Sequence, residues 1–141
     1  MRNLYVVPDT PLASTIRLLL VDDNPLFRGH LERWLNRRTT INVIGLADSG
    51  REAVLLSTQL CPDVVLMDTG MAPMSGFEAA KQIRHAQIPS RIVLMATNRR
   101  EEYAEEFNFY CDGFLQKDQL LTELIPLLTG LFPCSMVASK T

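Results

Sequence analysis

The chain has 141 residues, 47% hydrophobic and 21% charged, with a formal net charge of −2. That length suits one domain with an ordinary core, and so small a charge gives no electrostatic ground for binding nucleic acid or a membrane surface. The apolar runs fall far short of the roughly 18 residues that span a bilayer. Cys61, Cys111 and Cys134 are scattered and odd in number, which argues against a disulfide framework or zinc and for small, buried or partly buried thiols in a reducing cytoplasm.

Residues 1–15, MRNLYVVPDTPLAST, read as an N-terminal extension and not a signal peptide, because Pro8 and Asp9 interrupt the short apolar stretch. The first strand is IRLLLV (16–21). Asn24 followed by Pro25 supplies a cap and a first-turn proline, and the helix over 25–37 places Phe27, Leu31, Trp34 and Leu35 on one apolar stripe. INVIGLA (41–47) is the second strand, and Ser49 with Glu52 opens the second helix at capping-box spacing. DVVLM (63–67) is the third strand, and Ser75 with Glu78 opens the third helix in the same way. RIVLMA (91–96) is followed by a weaker helix start at Asn98 and Glu101. GFLQ (113–116) is followed by Asp118, which can cap the last helix. Pro126 falls within that helix and predicts a kink or break near Ile125. Its Leu120, Leu121, Leu124 and Leu128 read mainly as core, with some available to a dimer surface. The pairs Arg37-Arg38 and Arg99-Arg100 are short and read as solvated surface at helix ends.

Several of these strands are apolar at consecutive positions, as strands buried on both faces are. Five strands alternating with five helices specify an α/β domain, a parallel sheet with helices on both faces.

In such a sheet, ligands bind outside the carboxyl ends of the strands. There the sequence places Asp22-Asp23 after the first strand, Asp68 after the third, Thr97 after the fourth and Lys117 after the fifth. Any one aspartate could be a helix cap, but Asn24 is better placed to cap before Pro25. A cap role also leaves Lys117 unexplained, since its charge has the wrong sign for a helix start. The triplet Asp68-Thr69-Gly70 matches the aspartic-protease signature. Those proteases are all-β, and five βα units leave no room for such a fold.

Three carboxylates held together repel one another, and one takes up a proton unless a cation shares the site. Mg²⁺ prefers oxygen ligands and suits one or two carboxylates with waters and phosphate oxygens. Lys117 adds a second positive charge. The set suits an incoming phosphoryl group, with an aspartate able to accept it as an acyl phosphate.

The segments LLLVDDNPLFR, VVLMDTGMAPMSGFEA, IVLMATN and DGFLQKD resemble the receiver domain of two-component response regulators, closest to the subgroup that usually carries a helix-turn-helix output domain. The resemblance runs from about Ile16 to about Leu131. It implies a flavodoxin-like, doubly wound five-stranded sheet in the order 2-1-3-4-5. It implies Asp68 as acceptor of a phosphoryl group from a sensor histidine kinase or phosphotransfer protein. Asp23 and Asp68 would be direct Mg²⁺ ligands with the carbonyl of Gly70, and Asp22 would act through water. Thr97 and Lys117 would meet the phosphoryl oxygens. Thr97 and Phe114 would form the switch, remodelling a face made by the fourth helix, fifth strand and fifth helix, from about Arg99 to Leu131. That face is also a candidate homodimer surface. The expected location is the bacterial cytoplasm, with no direct DNA contact by this chain and no turnover enzyme activity.

The sequence departs from the family pattern in four places. Ala72 stands where a proline is usual, with Pro73 next. Asp118 follows Lys117 in place of a proline, so no cis-proline is expected at that joint. Phe114 lacks the hydroxyl of a tyrosine, and Pro126 interrupts the signalling helix. Residues 132–141 are expected to be a tail too short to fold alone. No output domain follows, so the chain is either a single-domain regulator or a piece of a longer one. Two other readings stand beside the lead: a degenerate receiver used only for docking, and a phosphatase resembling the haloacid dehalogenases. The second lacks its general acid, because Gly70 holds that position.

Overall fold

The computed structural model describes residues 15–97 and 109–133. Its elements are β1 (Ile16–Val21), α1 (Pro25–Asn36), β2 (Ile41–Ala47), α2 (Gly50–Leu60), β3 (Val64–Asp68), α3 (Gly76–His85), β4 (Arg91–Ala96), β5 (Gly113–Gln116), a 3₁₀ turn (Lys117–Gln119) and α4 (Leu120–Leu131). All four strand pairings are parallel, in the order β2-β1-β3-β4-β5. The order and the doubly wound α/β class are those expected. The helix expected after β4, and the Arg99-Arg100 pair, lie outside the described residues.

Alternate strand residues feed two core layers. Ile16, Leu18 and Leu20 of β1 pack with Leu31 and Leu35 of α1 and Leu120, Leu124 and Leu128 of α4. Leu19 and Val21 pack on the opposite face with Ala53 of α2 and Ala79, Ala80 and Ile83 of α3. Every residue of β3 is buried. Because side chains alternate, slipping a strand by one position would exchange its two buried faces. The sheet register is therefore determined on both sides, and it aligns the ends of β1, β3, β4 and β5 at one edge.

The caps follow the sequence closely. Asn24 accepts from the amides of Leu26 and Phe27, Ser49 from Glu52 and Ser75 from Glu78. At the far edge of the sheet, Asp112 accepts from Arg84 and Arg91 side chains and from the Ile92 amide, joining α3 to the β4–β5 edge.

Six expectations need correction. The third strand runs Val64–Asp68, so Asp68 is its last residue; Asp63 instead binds the Arg17 amide through its side chain. Asp118 does not cap the last helix: it lies in the 3₁₀ turn, and Gln119 precedes α4 without a side-chain cap. Pro126 does not break α4, which continues from Leu120 to Leu131. Interior proline costs about 3 kcal/mol, whereas fully burying each of Leu120, Leu124 and Leu128 contributes roughly 1.5–3 kcal/mol, so packing wins. On the same helix Leu121 is 59% exposed and is no part of the core. Cys61 is exposed, because it closes α2 with a left-handed backbone (φ 46°). Arg38 is half-buried, its guanidinium stacked 4.1 Å from the Trp34 ring centroid, and is more than solvated surface. At the loop after β3, the peptide Ala72–Pro73 is cis.

Candidate functional site

The five residues singled out at the strand ends meet at one edge of the sheet. Asp22 follows β1 directly and is fully buried. Its amide donates to Ala47 of β2 and its Oδ1 accepts from the Asn24 amide, 2.8 Å away. Asn24, not Asp22 or Asp23, caps α1, so the two acids are not consumed by helix capping. The Arg28 guanidinium donates to the Asp22 main-chain carbonyl at 2.6 Å and pins the turn. Asp23 is exposed at the mouth.

Asp68 ends the central strand. Its Oδ2 accepts from the Gly70 amide at 3.1 Å. Carboxylate oxygens of Asp22, Asp23 and Asp68 all lie within 4.8 Å of one another.

Lys117, the first residue after β5, reaches into this group. Its Nζ lies 2.7 Å from Asp22 Oδ2 and 3.2 Å from Asp68 Oδ1. The contact with Asp22 is close but not aligned as a hydrogen bond, so Oδ2 is held by charge and has no aligned donor among the described residues. Burial, the largest influence, would pull the Lys117 ammonium down; the close approach and charge of Asp22 and Asp68 together outweigh it and raise its pKa above the ordinary value. Asp68 is raised, first by burial and also by the Asp22 charge, with Lys117 opposing. Among the described residues, Lys117 is the one side-chain cation paired with this group of three acids, which leaves them short of positive charge.

Thr97 is exposed just past β4 and lines a cavity of about 400 Å³ at the mouth, with Asn24, Phe27, Lys117 and Asp118. Phe114 is half-buried against the α2–α3 core layer, on which Tyr110 also packs.

Two neighbours escaped the sequence reading. Phe27 was assigned to the core stripe of α1; it does touch the core, but its ring also faces Lys117 Nζ, 4.3 Å from the centroid. Arg28 carried no signal except its place one turn beyond the acid pair.

The model of the response regulator receiver domain matches residues 18–129. This chain belongs to that family. The receiver is 41% identical over 111 residues to the transcriptional regulatory protein YxjL of Bacillus subtilis, covering 78% of the chain and 51% of the relative. It is 30% identical over 124 residues to the nitrate/nitrite response regulator protein NarL of Escherichia coli, covering 87% and 57%. The chain thus spans about half the length of these curated relatives. Among solved structures, the signal receiver domain of NarL from Mycobacterium tuberculosis superposes with a TM-score of 0.75 at 31% identity, covering 86% of this chain and 97% of that one. Among the described residues, no helix of the receiver is long and apolar enough to cross a membrane.

Proposed function

We propose that this receiver accepts a phosphoryl group on Asp68 from a phosphohistidine of a sensor kinase or phosphotransfer protein. The observation that carries the reading is the position of Lys117 Nζ between Asp22 and Asp68. A carboxylate oxygen of Asp68 attacks phosphorus as the bond from phosphorus to histidine nitrogen breaks, which leaves an acyl phosphate on the strand end. Lys117 stays with the incoming oxygens as their fixed positive partner, and Thr97 donates its hydroxyl to another.

The donor set suits Mg²⁺. It is all oxygen, and the buried Asp22 Oδ2 lacks an aligned donor. Asp23, Asp68 and the Gly70 carbonyl would hold the ion directly, with Asp22 acting through water. Bound there, Mg²⁺ supplies neutralisation of phosphoryl charge. The chain's own contribution is to keep the acids gathered and to set a lysine beside Asp68. It assists its own phosphorylation and dephosphorylation without acting as a turnover enzyme.

New charge at Asp68 would then bias a two-state element. Thr97 and Phe114 are the switch residues of this reading, and the face from Arg99 to Leu131 is its output and a homodimer surface. The domain would run over 16–131, between the extension 1–15 and the tail 132–141. The similarity to named transcriptional regulators supports control of an output domain or partner in the bacterial cytoplasm. A phosphatase reading is disfavoured because Gly70 provides only an amide where a second acid would be needed.

The test is incubation with acetyl phosphate and Mg²⁺. A single acid-stable, base-labile phosphate is expected, and none on Asp68→Ala. A label that persists in that variant would place the acceptor elsewhere.

A further inference from the structure

We propose that Phe27 is a positioning residue for Lys117: its ring face holds the ammonium in line with Asp22 and Asp68, so that the lysine is in place before a phosphoryl group arrives. The inference rests on the phosphoacceptor reading for its consequence, but the placement itself is independent of that reading.

Lys117 ends a four-carbon stem with several rotatable bonds, and holding it still costs side-chain entropy. Two carboxylates draw it toward the strand ends, at 2.7 and 3.2 Å. The Phe27 ring covers the ammonium as well, with Nζ 4.3 Å from its centroid. Such a contact is electrostatically attractive and strengthens where water is excluded. Here the Lys117 side chain is only 15% exposed.

The ring is itself anchored. Asn24 caps the first turn of α1 and accepts from the Phe27 amide at 3.1 Å, and the side chain packs on the α1–α4 core layer. Phe27 also borders two spaces. One is the mouth of the site, with Thr97 and Asp118. The other is a groove of about 360 Å³ between α1 and α4, lined by His30, Trp34 and Leu121 among others. Lys117 borders both. Without the ring the lysine could swing toward the groove. A residue needed only to fill the core would not have to be aromatic; one that holds a cation does.

The experiment compares Phe27→Leu, which keeps apolar bulk without a π face, with Phe27→Tyr, which keeps the face. Two readouts are taken on the full chain: the rate of amine modification of Lys117 relative to Lys81, by peptide mass spectrometry without Mg²⁺, and the maximal rate of phosphate uptake from acetyl phosphate at saturating Mg²⁺. Melting temperatures confirm that each variant is folded. In Phe27→Leu the Lys117 to Lys81 labelling ratio should rise roughly three- to tenfold. The maximal uptake rate should fall by a similar factor, with Phe27→Tyr close to wild type on both. A purely structural role would move the melting temperature and leave both rates of the folded protein alone. An unchanged labelling ratio or an unchanged maximal rate in Phe27→Leu overturns the inference. A wild-type protein that takes up no phosphate sinks the phosphoacceptor reading instead, whatever the labelling shows.

Discussion

Gly76, the first residue of α3, packs so closely against the main-chain carbonyl of Asp68 that a methyl group on its Cα would overlap that oxygen. Its amide also donates to the Thr69 carbonyl at 3.2 Å. The start of α3 is thereby pressed against the end of β3, and the loop carrying Gly70 is folded tightly over the acids.

Gly76→Ala should therefore strain the end of β3 at Asp68 and not merely the helix. Overpacking of this kind costs typically 1–3 kcal/mol. Urea denaturation should show a loss in that range, accompanied by weaker Mg²⁺ binding. Loss of stability with unaltered Mg²⁺ affinity would mean that the strain relaxes into α3 alone.

Millimolar Mg²⁺ should raise the melting temperature of the wild type if, as proposed, the ion binds the native arrangement of acids. At a hundred times the dissociation constant the gain is about 2.7 kcal/mol. Asp23→Asn should lose most of this shift. An equal shift in the variant would remove Asp23 from the metal site.

Burial and the neighbouring Asp22 charge raise the Asp68 pKa above its ordinary 3.8, so ionising Asp68 costs the fold stability. That cost is fully present above the folded pKa and disappears as pH falls through it toward 3.8. In Mg²⁺-free buffer at pH 7, Asp68→Asn should thus resist urea better than the wild type, and the gap should close at acid pH. Lys117 works with the opposite sense. Its raised pKa contributes stability that is complete below 10.5 and is lost as pH rises through the folded value, so the wild type should weaken in strong alkali more than Lys117→Met does.

Pro126 sits inside a continuous helix whose buried residues are Leu120, Leu124 and Leu128. Replacing it with alanine restores one backbone donor and removes the ring clash. Pro126→Ala should gain about 1–3 kcal/mol, partly offset by the looser unfolded chain. A destabilised variant would show that the proline ring contributes packing that outweighs its backbone cost.

Much of the fold was legible because β1, β3 and β4 are apolar at consecutive positions and Asn24, Ser49 and Ser75 sit where caps are needed. The acid set was legible because topology alone carries strand ends to one edge. What escaped was the fine competition between local and tertiary forces. Pro126 looked like a break because a linear pattern cannot weigh three buried leucines against one missing hydrogen bond. Asp118 looked like a cap, yet the 3₁₀ turn after β5 delays the helix by a few residues. Phe27 matched the period of the core, and periodicity does not reveal that one end of a stripe overlooks a charged site.

β3 lies between β1 and β4, with Met67 opposite Val21 on one side and Leu94 on the other, and Asp68 opposite Met95. The strand that ends in Asp68 is thus buried at every position and paired along both edges. On the proposed reading, whatever responds to new charge at Asp68 must therefore move relative to a strand that is itself clamped along both edges.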